Sequence, residues 1–327
     1  MRHTVAIFVC CFLLILTNQC RAWSEAGHIV IAELAQRHLP EEARNALQEY
    51  ANILLAGAPE SRSSWLNRYP DYSATSYTAA WPDTIRGLTL DELFQHYGTT
   101  VPAELDHYRD KTTNNWHYTN RWYYSEQGLG IPDHCRKMAY RFNNHGELLP
   151  VIERLYTGFK RSNSEAQRAV MLALLIHLLS DLHQPLHNFA GVSDDCQHDR
   201  GGSGFCVVHR SPDRCELNLH HWWDSGVGIF DPPVKLKRVE KWIDGGKPDN
   251  ATGVVSSEPV PAHLSARLKA WSDESLAYTA SVYALEEGTM PGSSYVDGAR
   301  AIVKRQTMVA VERLRTILLT LISTDPV

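Results

Sequence analysis

Apolar positions recur every three to four residues along most of this chain. Few stretches alternate with the period of two that a half-buried strand needs. Ile29, Ile31, Leu34, Ala35 and Leu39 mark one face of a helix over Ser24–Leu39, which Pro40 ends. Pro40 opens a second helix, to Leu55, with Glu41 and Glu42 where acidic side chains meet the positive end of the helix dipole. The same spacing predicts helices over Leu88–Tyr97, Pro102–Arg109, His145–Lys160, Ser164–Leu182, Leu264–Glu287 and Ser294–Ser323. Gly191–Leu217 is rich in Gly, Asp, Ser and Cys and reads as a loop or small hairpin, and Phe230–Pro261 as a second irregular stretch. No internal repeat or low-complexity tract interrupts this order. The expectation is an all-α fold, a single compact multi-helix domain with long loops. At 327 residues the chain is long enough to bury a large core.

The N-terminus breaks the pattern. Arg2 and His3 precede an uninterrupted apolar run from Val5 to Leu16, followed by a polar stretch ending in the small residues Cys20 and Ala22. The run is too short to span a membrane and suits a secretory signal peptide. The expected division is a signal peptide over 1–22 and a globular domain over 23–327, with Trp23 as the new N-terminus. No later segment is apolar enough to cross a bilayer, so a secreted or endomembrane-lumenal, unanchored monomer is expected. The sequon Asn250-Ala251-Thr252, in a Gly/Pro/Asp-rich loop, suits that route. Cys10, Cys11 and Cys20 leave with the leader. Cys135, Cys196, Cys206 and Cys215 remain, an even set that implies two disulfides in any of three pairings.

Charge changes the picture next. The net charge is −5, and loss of Arg2 and Arg21 makes the mature chain more negative. That excludes a general lysine- and arginine-rich phosphate-binding surface, so a nucleic-acid partner would need a local positive site.

The 16 histidines supply a candidate for such a site. The stretch "HLLSDLHQPLH", residues 177–187, ends an apolar helix. His177 and Asp181 lie four apart and share a face, and Pro185 stops the helix before His187. His183, two residues after Asp181, points elsewhere. "NLHHWWD" repeats the spacing with His220 and Asp224, while His221 faces away. One such pair alone reads as a helix-surface hydrogen bond. Two pairs beside a third histidine make a metal site the better reading, and imidazole with carboxylate suits zinc rather than magnesium.

Further motifs occur in a fixed order: Trp23-Ser24-Glu25-Ala26-Gly27-His28, Trp81-Pro82-Asp83, Trp116-His117-Tyr118, then the two histidine motifs. Together they resemble the class I nucleases, secreted single-strand-specific enzymes with fungal, plant, bacterial and trypanosomatid members. The motifs span Trp23 to Asp224, and the C-terminal helices fit the same fold more loosely. That fold is shared with zinc-dependent phospholipase C. The resemblance implies three Zn2+ ions. One would be held by Asp83, His117, His177 and Asp181. A second would be held by the α-amine and carbonyl of Trp23 with His28, sharing Asp181. The third would be held by His187, His220 and Asp224. Three divalent cations against three carboxylates leave the pocket positive within a negative protein.

The implied activity is zinc-dependent endonucleolytic hydrolysis of single-stranded DNA and RNA to 5′-phosphorylated products, with 3′-nucleotides as further substrates. Asp181 and Arg86 are the implied catalytic residues. Arg86 matches a phosphate-contacting arginine, Tyr118 an aromatic on which a base stacks, and Asn120 stands where fungal members carry an aspartate that touches the base. The segment Thr84–Trp116 is longer than in fungal members, and Trp65–Ser76 is rich in Tyr, Ser and Arg; either could reshape the cleft. His183 and His221 are candidates to support ligands from behind. The remaining histidines, His198 among them, read as structural or surface. Two other readings stand beside this one: a zinc-dependent phospholipase C, and a secreted zinc-binding protein without turnover. Against the first, His28 lies closer to the tryptophan than in that group, and Asp224 stands where a glutamate is usual.

Overall fold

The computed structural model describes residues 23–57, 69–244 and 264–322. The expected leader over 1–22 and its expected cleavage point, the sequon at 250–252, residues 65–68 of the tyrosine-rich stretch and residue 323 lie outside them.

Ser24 caps helix α1 (Glu25–Arg37), its hydroxyl accepting from the Gly27 N–H at 3.3 Å. Helix α2 (Glu41–Ala56) follows Pro40, and a short buried helix α3 (Ala74–Ala80) runs into a 3-10 turn at Trp81–Thr84. Helix α4 (Leu90–His96) starts with a reciprocal cap between Thr89 and Glu92. Helix α5 (Leu148–Arg161) and helix α6 (Glu165–Asp181) form an antiparallel pair. Helices α7 (Leu219–Asp224), α8 (Leu236–Asp244), α9 (Leu264–Leu276), α10 (Thr279–Val282) and α11 (Ser293–Ile322) complete the described helices.

Helix α6 is the axis of the core. Ser164 caps it, and every residue from Ala169 to Asp181 is buried. A helix apolar all round needs neighbours on every side. Here α1, α2, α3, α5 and α11 pack around it. Each fully buried leucine contributes about 1.5–3 kcal/mol. That apolar burial offsets the cost of seating His177 and Asp181 at zero exposure at the helix's C-terminal end.

Two small sheets flank this end. Strand β1 (Trp122–Tyr124) pairs antiparallel with β2 (Gly128–Leu129) and parallel with β3 (Ala190–Gly191). Strands β4 (Cys206–Ser211) and β5 (Arg214–Asn218) form an antiparallel hairpin, His209 opposite Cys215. Of the three possible pairings, the disulfides are Cys135–Cys196 and Cys206–Cys215. The second closes the hairpin. The first ties the 3-10 segment Asp133–Phe142 to the loop after β3.

The all-α expectation holds, with differences in detail. Pro102–Arg109 is a 3-10 turn over Ala103–Tyr108. Helix α5 starts at Leu148, not His145, because Gly146 sits at φ +70°, outside helical space. The single helix expected over Leu264–Glu287 is two, since i−3 bonds from Ala277 and Tyr278 tighten and end the first. The stretch Phe230–Pro261 is not wholly irregular: α8 lies in it, with Leu236 and Val239 buried and Trp242 packed on the core.

Candidate metal centre

Six segments bring the predicted side-chain donors together. Helix α1 supplies His28 from its first turn, and the Trp81–Thr84 turn supplies Asp83. The end of α6 supplies His177 and Asp181, and α7 supplies His220 and Asp224. His117 follows the 3-10 turn Thr113–Trp116, and His187 closes the one opened by Pro185. The donors fall into three groups: His28, His177 and Asp181; Asp83, His117 and His177; and His187, His220 and Asp224. His177 belongs to the first two, and Asp181 also reaches His117.

Distances show what kind of site this is. His117 Nδ1 lies 3.0 Å from Asp181 Oδ2 and 3.0 Å from His177 Nε2. His177 Nε2 is 3.3 Å from Asp181 Oδ2 and 3.5 Å from Asp83 Oδ1. His28 Nε2 is 3.2 Å from Asp181 Oδ1, and its ring stacks on His177 at 3.8 Å. In the third group His220 Nε2 is 3.4 Å from Asp224 Oδ2 and His187 Nε2 is 3.7 Å from Asp224 Oδ1.

Three imidazoles are anchored from behind. His177 Nδ1 donates to the Ala79 carbonyl at 2.7 Å, His220 Nδ1 to the Gly201 carbonyl at 2.5 Å, and His187 Nδ1 to the His117 carbonyl. Each bond fixes the tautomer and turns the Nε2 lone pair toward the carboxylates, the arrangement a metal ligand needs. His28 Nδ1 and Nε2, His117 Nε2, Asp181 Oδ1 and His187 Nε2 are buried and make no hydrogen bond. Lone pairs facing one another at these distances repel unless positive charge lies between them. The donor set of buried histidine and aspartate therefore fits a divalent cation of the zinc type.

The titration directions of Asp181, Asp83, His117 and His187 agree. Burial alone would raise Asp181, but His177 and His28 beside it hold it well below the usual carboxylate range. Burial opposes ionisation of Asp83 too, and His177 and Arg86 outweigh it, bringing Asp83 to about 2. Burial pushes His117 down to about 4 and His187 to about 3. These carboxylates stay charged and these two imidazoles neutral, the protonation states that bind metal. His177 is raised despite its burial, because Asp181 and Asp83 draw positive charge toward it.

Trp23 is fully buried at the head of α1. Its indole Nε1 donates to the Ser180 carbonyl at 2.9 Å, and the next N–H, of Ser24, donates to the Asp224 carbonyl at 2.8 Å. The start of the domain is thus pinned between the residue before Asp181 and Asp224 itself.

A cavity of about 210 Å3 opens beside these groups, lined by His117, His187 and His220 together with Arg86, Tyr118 and Asn120. The buried Arg86 guanidinium pairs with Asp83 at 2.6 Å. Half-buried Tyr118 has its hydroxyl held by Asn115 and Asn144, at 2.8 and 2.9 Å. Asn120 donates its amide to the Asn144 carbonyl at 2.9 Å.

Sequence reasoning missed part of this wall. Arg200 and His198 also line the cavity. Arg200 (φ +54°) precedes Gly201 (φ +63°), where a Cβ would come within 2.5 Å of the Leu186 carbonyl. The Gly-Gly pair after a basic residue was the available signal, since only glycine allows so close a backbone approach. His183 faces away from the cluster. Its Nδ1 donates to Leu179 at 2.7 Å and its Nε2 accepts from Arg313 at 3.1 Å. His221 is exposed. A larger, shallower cavity of about 420 Å3 lies beyond His198, against Tyr123, Asp199 and Tyr283. It holds none of the metal donors, and its Asp199 carboxylate is occupied by Gly191 and Tyr283.

The family comparison points the same way. The profile of the S1/P1 nuclease family matches residues 23–323, nearly the whole chain. The chain belongs to the S1/P1 nuclease family, a metal-dependent family. It is 24% identical over 241 residues to Endonuclease 2 of Arabidopsis thaliana, covering 69% of this chain and 62% of that protein. It is likewise 24% identical over 213 residues to Endonuclease 4 of the same plant, covering 65% of this chain and 57% of that protein. The chain thus spans about three fifths of the length of these curated relatives.

Proposed function

We propose that this protein is a secreted, monomeric endonuclease that holds three zinc ions. It hydrolyses single-stranded DNA and RNA to 5′-phosphorylated products, and it removes the phosphate of 3′-nucleotides. The observation that carries the reading is the convergence of three buried histidine–aspartate groups on one cleft that also presents Arg86 and Tyr118. The two disulfides suit an oxidising compartment, and no helix among the described residues is long and apolar enough to cross a membrane.

Asp83, His117, His177 and Asp181 would hold one ion; Trp23, His28 and Asp181 a second; His187, His220 and Asp224 a third. Bound there, the ions supply a water acidified to near neutral pH and positive charge for the phosphate and the departing oxygen. The chain's own residues do the rest. Arg86, paired with Asp83, presents its guanidinium to the non-bridging phosphate oxygens. Tyr118 offers a π-face to a base, which must be unstacked to reach it, and this selects single strands. Its tethered hydroxyl keeps that face in place. Asn120 gives one N–H of its amide to the Asn144 carbonyl, which leaves the second N–H and the side-chain oxygen as the groups for a base edge.

The test is a substrate panel on the purified protein: single- and double-stranded DNA, RNA, 3′-AMP and phosphatidylcholine, each with and without chelator. Chelator-sensitive cleavage of single strands and release of phosphate from 3′-AMP are expected. Release of choline phosphate without nucleotide products would favour the phospholipase reading. Bound zinc with no turnover of any substrate would favour a binding protein.

A further inference from the structure

Gln184 lies between the metal-binding groups and belongs to none of them. It is fully buried, immediately before Pro185 and three residues before His187 in the chain. Its side-chain Nε2 donates to Asp224 Oδ1 at 2.7 Å, and its Oε1 accepts from the Leu186 N–H at 2.6 Å. The Leu186 bond settles which end of the amide is which, because only the oxygen can accept. The backbone of Gln184 is equally engaged. Its N–H donates to the Asp181 carbonyl at 2.9 Å, and its carbonyl accepts from the His187 N–H at 3.0 Å. Asn188 braces the same carbonyl at 3.1 Å and is itself held by Ser272 at 2.5 Å. One residue therefore joins Asp181, His187 and Asp224.

We infer that the Gln184 side chain is the positioning group of the third metal group. The inference rests on the metal-binding reading above. A buried carboxylate can rotate about its Cβ–Cγ bond. Holding Oδ1 on the Gln184 amide leaves Oδ2 facing His220, where the ligand atoms of the third group converge. The Leu186 bond prevents the amide from turning away. His187 is set by the same residue through its backbone, so two of the three donors of this group depend on Gln184. Asp83, His117 and His28 have no hydrogen bond to it in the structure, so its loss acts on one group. Replacing an outer partner of a metal ligand of this kind typically costs about ten- to a hundredfold in metal affinity.

Two variants test this. Gln184→Met keeps the volume and removes both side-chain hydrogen bonds. Gln184→Glu keeps the shape but sets a second carboxylate against Asp224. Metal content is read by native mass spectrometry across a chelator series, and the cobalt-substituted proteins are compared by visible absorption. Wild type holding three ions while either variant holds two, with the third lost at roughly tenfold lower chelator, is the expected result. The cobalt spectrum should lose the contribution of one site and keep the rest. Asp224→Ala should itself lose the third ion, and adding Gln184→Met to it should change nothing further. Three ions at wild-type chelator resistance in both variants would overturn the inference. So would simultaneous loss of all ions, which would make Gln184 a general structural residue. A wild-type protein that binds no divalent ion would instead overturn the metal reading itself, a result distinguishable from either.

Discussion

The Trp23 indole donates to the Ser180 carbonyl at 2.9 Å, across 157 positions of sequence. The bond places the start of the domain one residue from Asp181, the carboxylate approached by His28, His117 and His177. The first and the middle segments of the chain are therefore parts of one site.

If the α-amine of Trp23 is a ligand, it must be free. A protein carrying even a short N-terminal extension before Trp23 should bind fewer ions than one beginning at Trp23, and should lose roughly tenfold or more of its activity. Ion counts on the two forms, made side by side, check this. Equal counts and equal turnover would remove Trp23 from the ligand set.

Asp181 is the donor with most partners, and it sits at zero exposure. Asp181→Asn preserves its shape and removes its charge, leaving His28, His117 and His177 without a common anion. Turnover should fall by more than about a hundredfold, with metal content reduced. Near-normal turnover in this variant would rule out a bridging role.

Arg86 and Tyr118 should separate in kinetics. If Arg86 contacts the reacting phosphate as proposed, Arg86→Ala should lower kcat by about a hundredfold. Tyr118→Ala removes a stacking face worth about 1–3 kcal/mol per base, which raises KM for single strands by about tenfold with a smaller change in kcat. Steady-state kinetics on one oligonucleotide decide it. The opposite pattern would exchange the two roles.

Arg200 lies on the same cavity wall as Arg86 and beside the glycine that orients His220. A short substrate with one phosphate has no second phosphate for it, whereas an oligonucleotide has. Arg200→Ala should raise KM for an oligonucleotide by roughly tenfold and that for 3′-AMP by much less. Equal effects on both substrates would place Arg200 at the reacting phosphate or in the fold alone.

Much of this was legible in the residues themselves. The i, i+4 pairs His177–Asp181 and His220–Asp224 do bring their side chains to within 3.4 Å, because helical spacing alone sets that contact. The uniformly apolar α6 announced a core helix. What spacing could not give were contacts between distant segments: Ala79 behind His177, Gly201 behind His220, Gln184 behind Asp224. Each is a backbone or amide partner whose identity depends on tertiary packing. Helix α8 was hidden because charged residues surround its few apolar ones and Pro232-Pro233 precedes it. The break after Leu276 carries no glycine or proline, so periodicity alone ran through it.

The most direct measurement is the ion count of the purified protein beginning at Trp23, by native mass spectrometry with zinc as the only divalent metal supplied. Three zinc ions are expected, with cleavage of single-stranded DNA lost as they are stripped and restored when zinc returns. A protein that carries no zinc, or that cleaves undiminished after complete removal of metal, would contradict it.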